Sequence, residues 1–325
     1  MNFWEWFQEN EAILSGIAAA LVISGALATL GRGFLKRFLD LEDNVKPLSL
    51  TELSSPSPFP VRFAKCEGVN IAYNVQGQDQ PTLIVSPGII SNLHVSSNLP
   101  PIKNTMASLA KFSRVVNFDK RGQGLSDPIS RVATISERVQ DIESVADATD
   151  SDQFYLMGIS EGGPMSIQFA VENPDRVKGL VLFGTTPRFS RSEDYPIGLS
   201  ERALDSVGQN WGEAVARDIL FPSISREVMD DDTYRGFEKL LADRRSIIQI
   251  VEYMKTLDVR MMLPAIECPT LVIHFSGDLA VPLRMGRYLA DHIPNSEFLE
   301  IAGVDHCDLG NAPKTIERIR SFISN

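Results

Sequence analysis

The arrangement of apolar runs constrains the fold of this chain more than any other feature of its sequence. Runs at residues 62–65 and 70–75 predict a hairpin, and six further runs predict buried strands. Helical stretches such as residues 135–148 separate most of the six. Because this alternation is typical of parallel strands buried on both faces, we predict an α/β fold with a mostly parallel eight-stranded sheet. The six runs are residues 82–86, 114–118, 154–158, 179–184, 270–275 and 297–301.

One long segment interrupts this alternation. Residues 190–264 contain helical stretches without a buried strand, and strand-like runs resume at Thr270. The segment carries bulky side chains, among them Trp211, Phe237 and Tyr253. We interpret it as a helical cap inserted between two core strands. Some of its aromatic side chains are expected to line an apolar pocket and to select the substrate.

The composition excludes several classes of function. The net charge is −11 and the pI is near 4.9, without a cluster of Lys and Arg, so nucleic-acid binding is not expected. The cysteines Cys66, Cys268 and Cys307 are widely spaced and form no metal-binding pattern. We therefore expect packed free thiols, with no metal ion and no cofactor.

The N-terminal region predicts a membrane anchor within residues 1–40. Residues 12–30 are a run of 19 uncharged residues, which as a helix would extend about 28 Å, close to the thickness of the hydrocarbon core of a bilayer. Basic residues follow the run and acidic residues precede it, so the positive-inside rule places the rest of the chain in the cytoplasm.

Residues 41–60, rich in Pro and Ser, are predicted to be an extended linker that builds no core, followed by the folded domain at residues 61–325.

Two other interpretations of this apolar run stay open. The tripeptide Ala26-Leu27-Ala28 is typical of a signal-peptide cleavage site, which would make the protein exported. The acidic residues before the run and the basic residues after it argue against export. The run could also form a helix that docks on the folded domain or mediates oligomerisation, because its Ala, Gly and Ser residues lower its hydrophobicity. The sequence does not indicate an oligomeric state.

The pentapeptide GISEG at residues 158–162 carries the clearest chemical signal. It follows a predicted buried strand directly, and Pro164 opens a helical stretch after it. A G-x-S-x-G sequence between a strand and a helix is typical of a nucleophile elbow, the sharp turn that exposes a catalytic serine. We therefore predict Ser160 as a nucleophile.

A serine hydroxyl is a weak nucleophile unless a base accepts its proton. Of the four histidines, His94 precedes the serine, His274 lies inside a predicted strand and His292 lies on a predicted helix. His306 lies in a loop after the last strand, so we predict it as the base. Asp278 follows the run at residues 270–275 and is predicted to orient the imidazole.

Two backbone N–H groups are expected to form an oxyanion hole. The first is that of Glu161, directly after the nucleophile. The second is that of Ile89, in the loop after the run at residues 82–86.

These motifs resemble those of the α/β-hydrolase superfamily over about residues 61–324. The matching segments are FDKRGQGLSD (118–127), GISEGGPM (158–165), HFSGDLAVP (274–282) and GVDHCD (303–308). More narrowly, they resemble the hydrolase domains joined to bacterial nucleotide cyclases and signalling modules. The resemblance implies an α/β-hydrolase fold with a cap, here preceded by the N-terminal hydrophobic helix. Pro87 stands where the superfamily often has His, and Asp305 precedes His306 in place of the commoner Gly.

The sequence therefore predicts a serine hydrolase that cleaves a carboxylic ester or related acyl bond through an acyl-enzyme. Amide, lactone or carbon–carbon bond cleavage uses the same residues and stays possible. The alternative is a membrane-tethered sensor of small molecules with slow hydrolytic turnover. The expected partner is a small ester or acyl compound.

Overall fold

The computed structural model describes residues 46–78, 80–310 and 312–324. The predicted hydrophobic helix and most of the predicted membrane-anchor region therefore lie outside the described residues. Within the described ranges, no helix is both long enough and apolar enough to cross a membrane.

A single eight-stranded sheet organises the described part of the chain. The strands lie in the order β1-β2-β4-β3-β5-β6-β7-β8. The first two strands pair antiparallel with their neighbours, and all later pairs are parallel. The predicted α/β fold with a mostly parallel sheet is thus confirmed. The strands are β1 (Arg62–Cys66), β2 (Val69–Gln76), β3 (Thr82–Ser86), β4 (Arg114–Phe118), β5 (Phe154–Ile159), β6 (Val177–Phe183), β7 (Thr270–Phe275) and β8 (Ser296–Ile301).

Helices cover both faces of this sheet. The helices α4, α5 and α10 pack on one face, and α3 and α11 pack on the other. The start of α4 is set by a capping box, in which Thr134 and Glu137 satisfy each other's backbone N–H groups. The helices are α1 (Leu50–Leu53), α2 (Leu93–Ser96), α3 (Pro100–Leu109), α4 (Ile135–Ala148), α5 (Gly162–Glu172), α6 (Glu201–Gln209), α7 (Arg217–Leu220), α8 (Asp231–Leu241), α9 (Arg244–Thr256), α10 (Leu283–His292) and α11 (Pro313–Ile323), with 3₁₀ turns at Pro174–Arg176 and Arg260–Ala265.

The segment between β6 and β7 contains helices α6 to α9 and no strand of the sheet. The side chains of Leu204, Trp211, Ile247 and Val251 form the centre of an apolar cluster of its own. This cluster also includes Met285 from the core helix α10, so the inserted helices pack on the body of the domain.

The segment at residues 47–60 differs from the predicted linker. Residues Leu50–Leu53 form helix α1, whose capping box joins Ser49 and Glu52. The Leu53 side chain is fully buried against residues of α2 and α8, including Val95 and Phe237. The expectation that this segment stays extended and builds no core is therefore wrong for Leu50–Leu53. Its single leucines lack the periodicity that predicts a helix, and the surface that buries them comes from distant parts of the chain.

Candidate active site

Ser160 lies at a sharp turn between β5 and α5. Its φ angle is +53°, in the left-handed region that costs a non-glycine residue about 1–3 kcal/mol. Its backbone N–H donates to the Phe183 carbonyl at 3.0 Å, which holds the turn against β6. A Cβ at Gly162 would lie 2.3 Å from the Ser86 carbonyl oxygen, so only glycine permits the close approach of α5 to β3. The strained serine is thus supported by backbone contacts on both sides.

His306 and Asp278 come together from loops that follow neighbouring strands. The His306 Nδ1 and Asp278 Oδ2 atoms are 2.7 Å apart, and both side chains are buried. The other carboxylate oxygen, Oδ1, accepts backbone N–H groups of Ala280 and Val281 at 2.9 Å each. A Cβ at Gly184 would lie 3.2 Å from His306 Cε1, so this glycine makes room for the ring. The carboxylate can therefore fix the imidazole with its proton on Nδ1.

The charge environment of His306 suits a base. Burial lowers the pKa of His306, but the Asp278 carboxylate and Cys307 together outweigh it, and the net pKa lies well above its ordinary value of 6.5. The Nε2 atom is buried and has no hydrogen-bond partner among the described residues. Ser160 and His306 border the same two cavities. The free ring nitrogen is thus available to a group at the serine.

His274 is a contact of Asp278 that sequence reasoning missed. The sequence predicts it inside a strand, and it is fully buried in β7. Its Nε2 atom lies 2.6 Å from the Val281 carbonyl and 3.5 Å from Asp278 Oδ2. Burial lowers the pKa of His274. A neutral ring here supports the aspartate loop without adding a charge.

The two residues predicted for an oxyanion hole lie beside Ser160. Glu161 caps the N-terminus of α5, where helix dipoles favour negative charge. Ile89 borders both cavities together with the serine. Gly88, just before it, approaches so closely that a Cβ there would lie 3.2 Å from Ser160 Cβ. The arrangement places both backbone segments next to the hydroxyl.

The side chain of Glu161 belongs to a buried charge network that the sequence did not reveal. It forms ion pairs with Lys120 and Arg138, and all three side chains are almost fully buried. Lys120 Nζ also donates to the Gly88 carbonyl at 2.5 Å. Burial lowers the pKa of Lys120 to about 8, although Glu161 opposes the shift. The lysine therefore links the loop of Ile89 to the residue after the nucleophile.

The inserted helices contact the histidine loop through hydrogen bonds. The His306 backbone N–H donates to the Leu220 carbonyl at 2.9 Å, at the end of α7. The Asp305 carboxylate accepts the Ser223 backbone N–H at 2.9 Å and also its hydroxyl. Asp305 thus ties the loop of His306 to the insertion.

Two apolar cavities meet at Ser160. The larger has a volume of about 300 Å³ and extends between α2, α3 and α8, with Phe237 in its wall. The smaller, about 160 Å³, lies against α6 and the loop at residues 279–281. Trp211 borders both, as expected for a cap residue that faces a pocket. Tyr253 borders neither, because its ring packs against the Arg138 guanidinium at 4.3 Å.

The remaining histidines and cysteines form no second centre in the described ranges. His292 stacks on Tyr288 at the surface. Cys307 borders the larger cavity beside His306, whereas burial raises the pKa of Cys66 and of Cys268. Among the described residues, no group of His, Cys, Asp and Glu side chains could hold a metal ion.

Comparison with known proteins assigns the chain to a protein family. The model of the family described as serine aminopeptidase, S33, matches residues 103–310. The Karrikin insensitive 2 receptor IA of Petunia hybrida is 24% identical over 270 residues, which cover 78% of this chain and 94% of that protein.

Solved structures agree with the fold. The enol-lactonase from Burkholderia xenovorans LB400 superposes with a TM-score of 0.67 at 21% identity, covering 81% of this chain and all of that one. A membrane phospholipase A, described as a bacterial virulence factor, superposes with a TM-score of 0.66 at 18% identity and covers 97% of this chain and 98% of that one. At these identities the similarity shows the shared fold.

Proposed function

Because the chain belongs to the α/β-hydrolase family described as serine aminopeptidase, S33, we propose that it is a serine hydrolase that cleaves an apolar carboxylic ester. The observation that carries the proposal is the meeting of Ser160 with the His306–Asp278 pair at two apolar cavities. A scissile ester at Ser160 would have room for an apolar group on each side of the bond.

In the proposed reaction, the Ser160 hydroxyl oxygen bonds to the carbonyl carbon while His306 Nε2 takes the hydroxyl proton. The Ile89 and Glu161 N–H groups donate to the resulting oxyanion. When the tetrahedral intermediate collapses, the carbon–oxygen bond to the alcohol breaks and His306 returns the proton to the leaving oxygen. A water molecule then attacks the acyl-enzyme by the same route and releases the carboxylic acid.

The nature of the cavities supports an apolar substrate. Side chains such as Ile102, Met106 and Phe221 line the larger cavity, and Leu204 and Met254 line the smaller. A charged group on the substrate would lose its hydration against these apolar side chains.

The proposal is tested with a chain-length series of p-nitrophenyl esters and a fluorophosphonate probe. We expect turnover of short and medium esters, and covalent labelling of Ser160 that is absent in Ser160→Ala. Labelling of a different serine, or full activity in Ser160→Ala, would show that the nucleophile is wrongly assigned. Thermal unfolding of the variant controls for loss of the fold.

A second candidate function is a small-molecule sensor with slow turnover. The similarity to a protein named as a receptor, over 94% of its length, favours this candidate. A sensor would retain its hydrolysed product for minutes, whereas an esterase releases it between turnovers. Single-turnover and steady-state rates on the same ester distinguish the two. Both can show a burst of the first product, but in the sensor the following turnovers would take minutes, whereas an esterase would continue at its steady-state rate.

We further propose that the N-terminal region anchors the protein in a membrane with the hydrolase domain in the cytoplasm. The support is the uncharged run at residues 12–30 and the basic residues after it. Fractionation of the full-length chain tests the anchor. Recovery in the soluble fraction without detergent would refute it, and a mature N-terminus near Thr29 would establish cleavage of a signal peptide.

A further inference from the structure

Amide side chains interrupt the apolar face of the sheet that α3 covers. Asn74 and Gln76 are two residues apart on β2, so their side chains lie on the same face of the sheet. Asn117 on β4 pairs directly with Asn74 and shares this face. The same face carries the buried apolar residues Val85 and Val115. In most strands the side chains that face the core are apolar. Here amide side chains occupy these positions.

The Gln76 amide has no hydrogen-bond partner among the described residues. Its side chain is only 5% exposed and borders the larger cavity. Asn117 also borders this cavity, and its only side-chain hydrogen bond is a long contact of 3.5 Å to Asn74. A buried amide is normally paired, so Gln76, together with the half-buried Asn117, points to a ligand that supplies the missing hydrogen bonds.

The cavity connects these amides with Ser160. In the sheet, β2 is separated laterally from β5 by β4 and β3, about 14 Å at the usual strand spacing, and the register places Gln76 level with Tyr155, five residues before Ser160. Apolar side chains of Phe59, Ile102 and Met106 line the same cavity. A substrate group that begins at Ser160 would therefore cross an apolar region before it reaches the amides.

We propose that the far end of this cavity recognises a neutral hydrogen-bonding group, such as a hydroxyl or an amide, at the end of an apolar chain of the substrate. The proposal rests on the proposed hydrolase function and specifies its substrate class. A primary amide both donates and accepts, which matches a neutral group. Lys103 also borders the cavity but is exposed, so a terminal carboxylate is the competing chemistry.

The test compares kcat/KM for p-nitrophenyl ω-hydroxydecanoate and p-nitrophenyl decanoate. We expect the wild-type protein to prefer the hydroxylated ester. Gln76→Met, which keeps the length of the side chain, should lower the ratio of hydroxylated to plain ester by about fivefold to tenfold, as for loss of one neutral hydrogen bond. Asn117→Leu is a second, independent variant and should shift the ratio in the same direction. The readout is the ratio of kcat/KM for the two esters, measured on one protein preparation. A general loss of active protein lowers both values equally and leaves this ratio unchanged.

Gln168→Met is the matched control, because Gln168 is also 5% exposed but lies in α5 and borders neither cavity. Its ratio should equal that of the wild type. An unchanged ratio in both Gln76→Met and Asn117→Leu would overturn the proposal. So would a preference for the ω-carboxy ester that is lost in Lys103→Met. Failure of the proposed function is distinct, since neither decanoate ester would then be hydrolysed and Ser160 would not be labelled.

Discussion

Lys120 and Glu161 form a buried ion pair directly behind the turn that presents Ser160. The same lysine donates to the carbonyl of Gly88, the residue before Ile89. In a trans peptide the C=O and N–H groups point in opposite directions, so a fixed Gly88 carbonyl also fixes the Ile89 N–H. One side chain thus restrains both backbone segments that are proposed to hold the oxyanion.

The first prediction concerns this pair. Lys120→Met should lower kcat for a short ester by about tenfold, with little change in KM. The loss is smaller than the roughly hundredfold to thousandfold cost of removing an oxyanion donor outright, because the N–H groups remain but are less well oriented. Steady-state kinetics measure the split between kcat and KM.

A double-mutant cycle with Glu161→Gln provides the control for this prediction. If the two side chains act as a pair, the double variant should lose clearly less activity than the two single losses combined. Glu161→Gln removes the buried carboxylate charge, which Lys120→Met alone would leave with fewer partners. Strictly additive losses would mean that the residues act independently.

The second prediction concerns pH. A base must be neutral to accept a proton, and the pKa of His306 is raised above 6.5. We therefore expect kcat/KM to rise with pH through a pKa above 6.5. Asp278→Asn removes the charge that raises this pKa, so its acid limb should move to lower pH. Its kcat should also fall by about three to four orders of magnitude, because the wrong imidazole tautomer is favoured.

The same shift gives an expectation for stability. The His306–Asp278 pair should stabilise the fold fully below the unfolded histidine pKa of about 6.5. This contribution should be lost as the pH rises through the higher folded pKa. Thermal unfolding of the wild type and Asp278→Asn as a function of pH measures it. If the acid limb of kcat/KM for the wild type lies at or below pH 6.5, the pKa of His306 is not raised. Both the expected pH dependence of activity and that of stability would then be contradicted.

The third prediction concerns the start of the folded domain. Deletion of residues 1–45 should leave an active enzyme, because Pro47 onward forms one contact unit with the domain. Deletion of residues 1–60 should destabilise it, since burial of a leucine such as Leu53 contributes about 1.5–3 kcal/mol. It would also remove Pro58 and Phe59 from the wall of the larger cavity. Equal activity and melting temperature in both truncations would show that helix α1 contributes nothing.

The fourth prediction concerns the inserted helices. Phe237 borders the larger cavity, so Phe237→Leu should shift the preference within a series of p-nitrophenyl esters toward longer chains. Tyr253 borders neither cavity and packs on Arg138, so Tyr253→Leu should change the rates on all esters by one common factor. The ratio of kcat/KM for long and short esters measures both. If Phe237→Leu also changes the rates on all esters by one common factor, residues other than Phe237 determine the preference for chain length.

Much of the fold followed from local pattern. The predicted strand at residues 114–118 and the helix at residues 135–148 have the observed bounds. The order of Ser160, Asp278 and His306 along the chain was enough to propose their roles. Periodicity, strand ends and glycine turns depend on neighbours within a few residues, so a sequence displays them directly.

Other features depended on contacts between distant segments. The pairing of Lys120 with Glu161 joins residues 41 positions apart, and no local pattern marks either one as buried. Some aromatic side chains of the insertion were expected to face the pocket, and the structure shows that Tyr253 is not one of them, because its ring packs on Arg138. The sequence determined the α/β fold and the candidate triad, because both follow from short-range periodicity and from the common edge where parallel strands end. Only the tertiary structure decided which side chains surround the site, because burial and charge pairing are set by segments that meet in space.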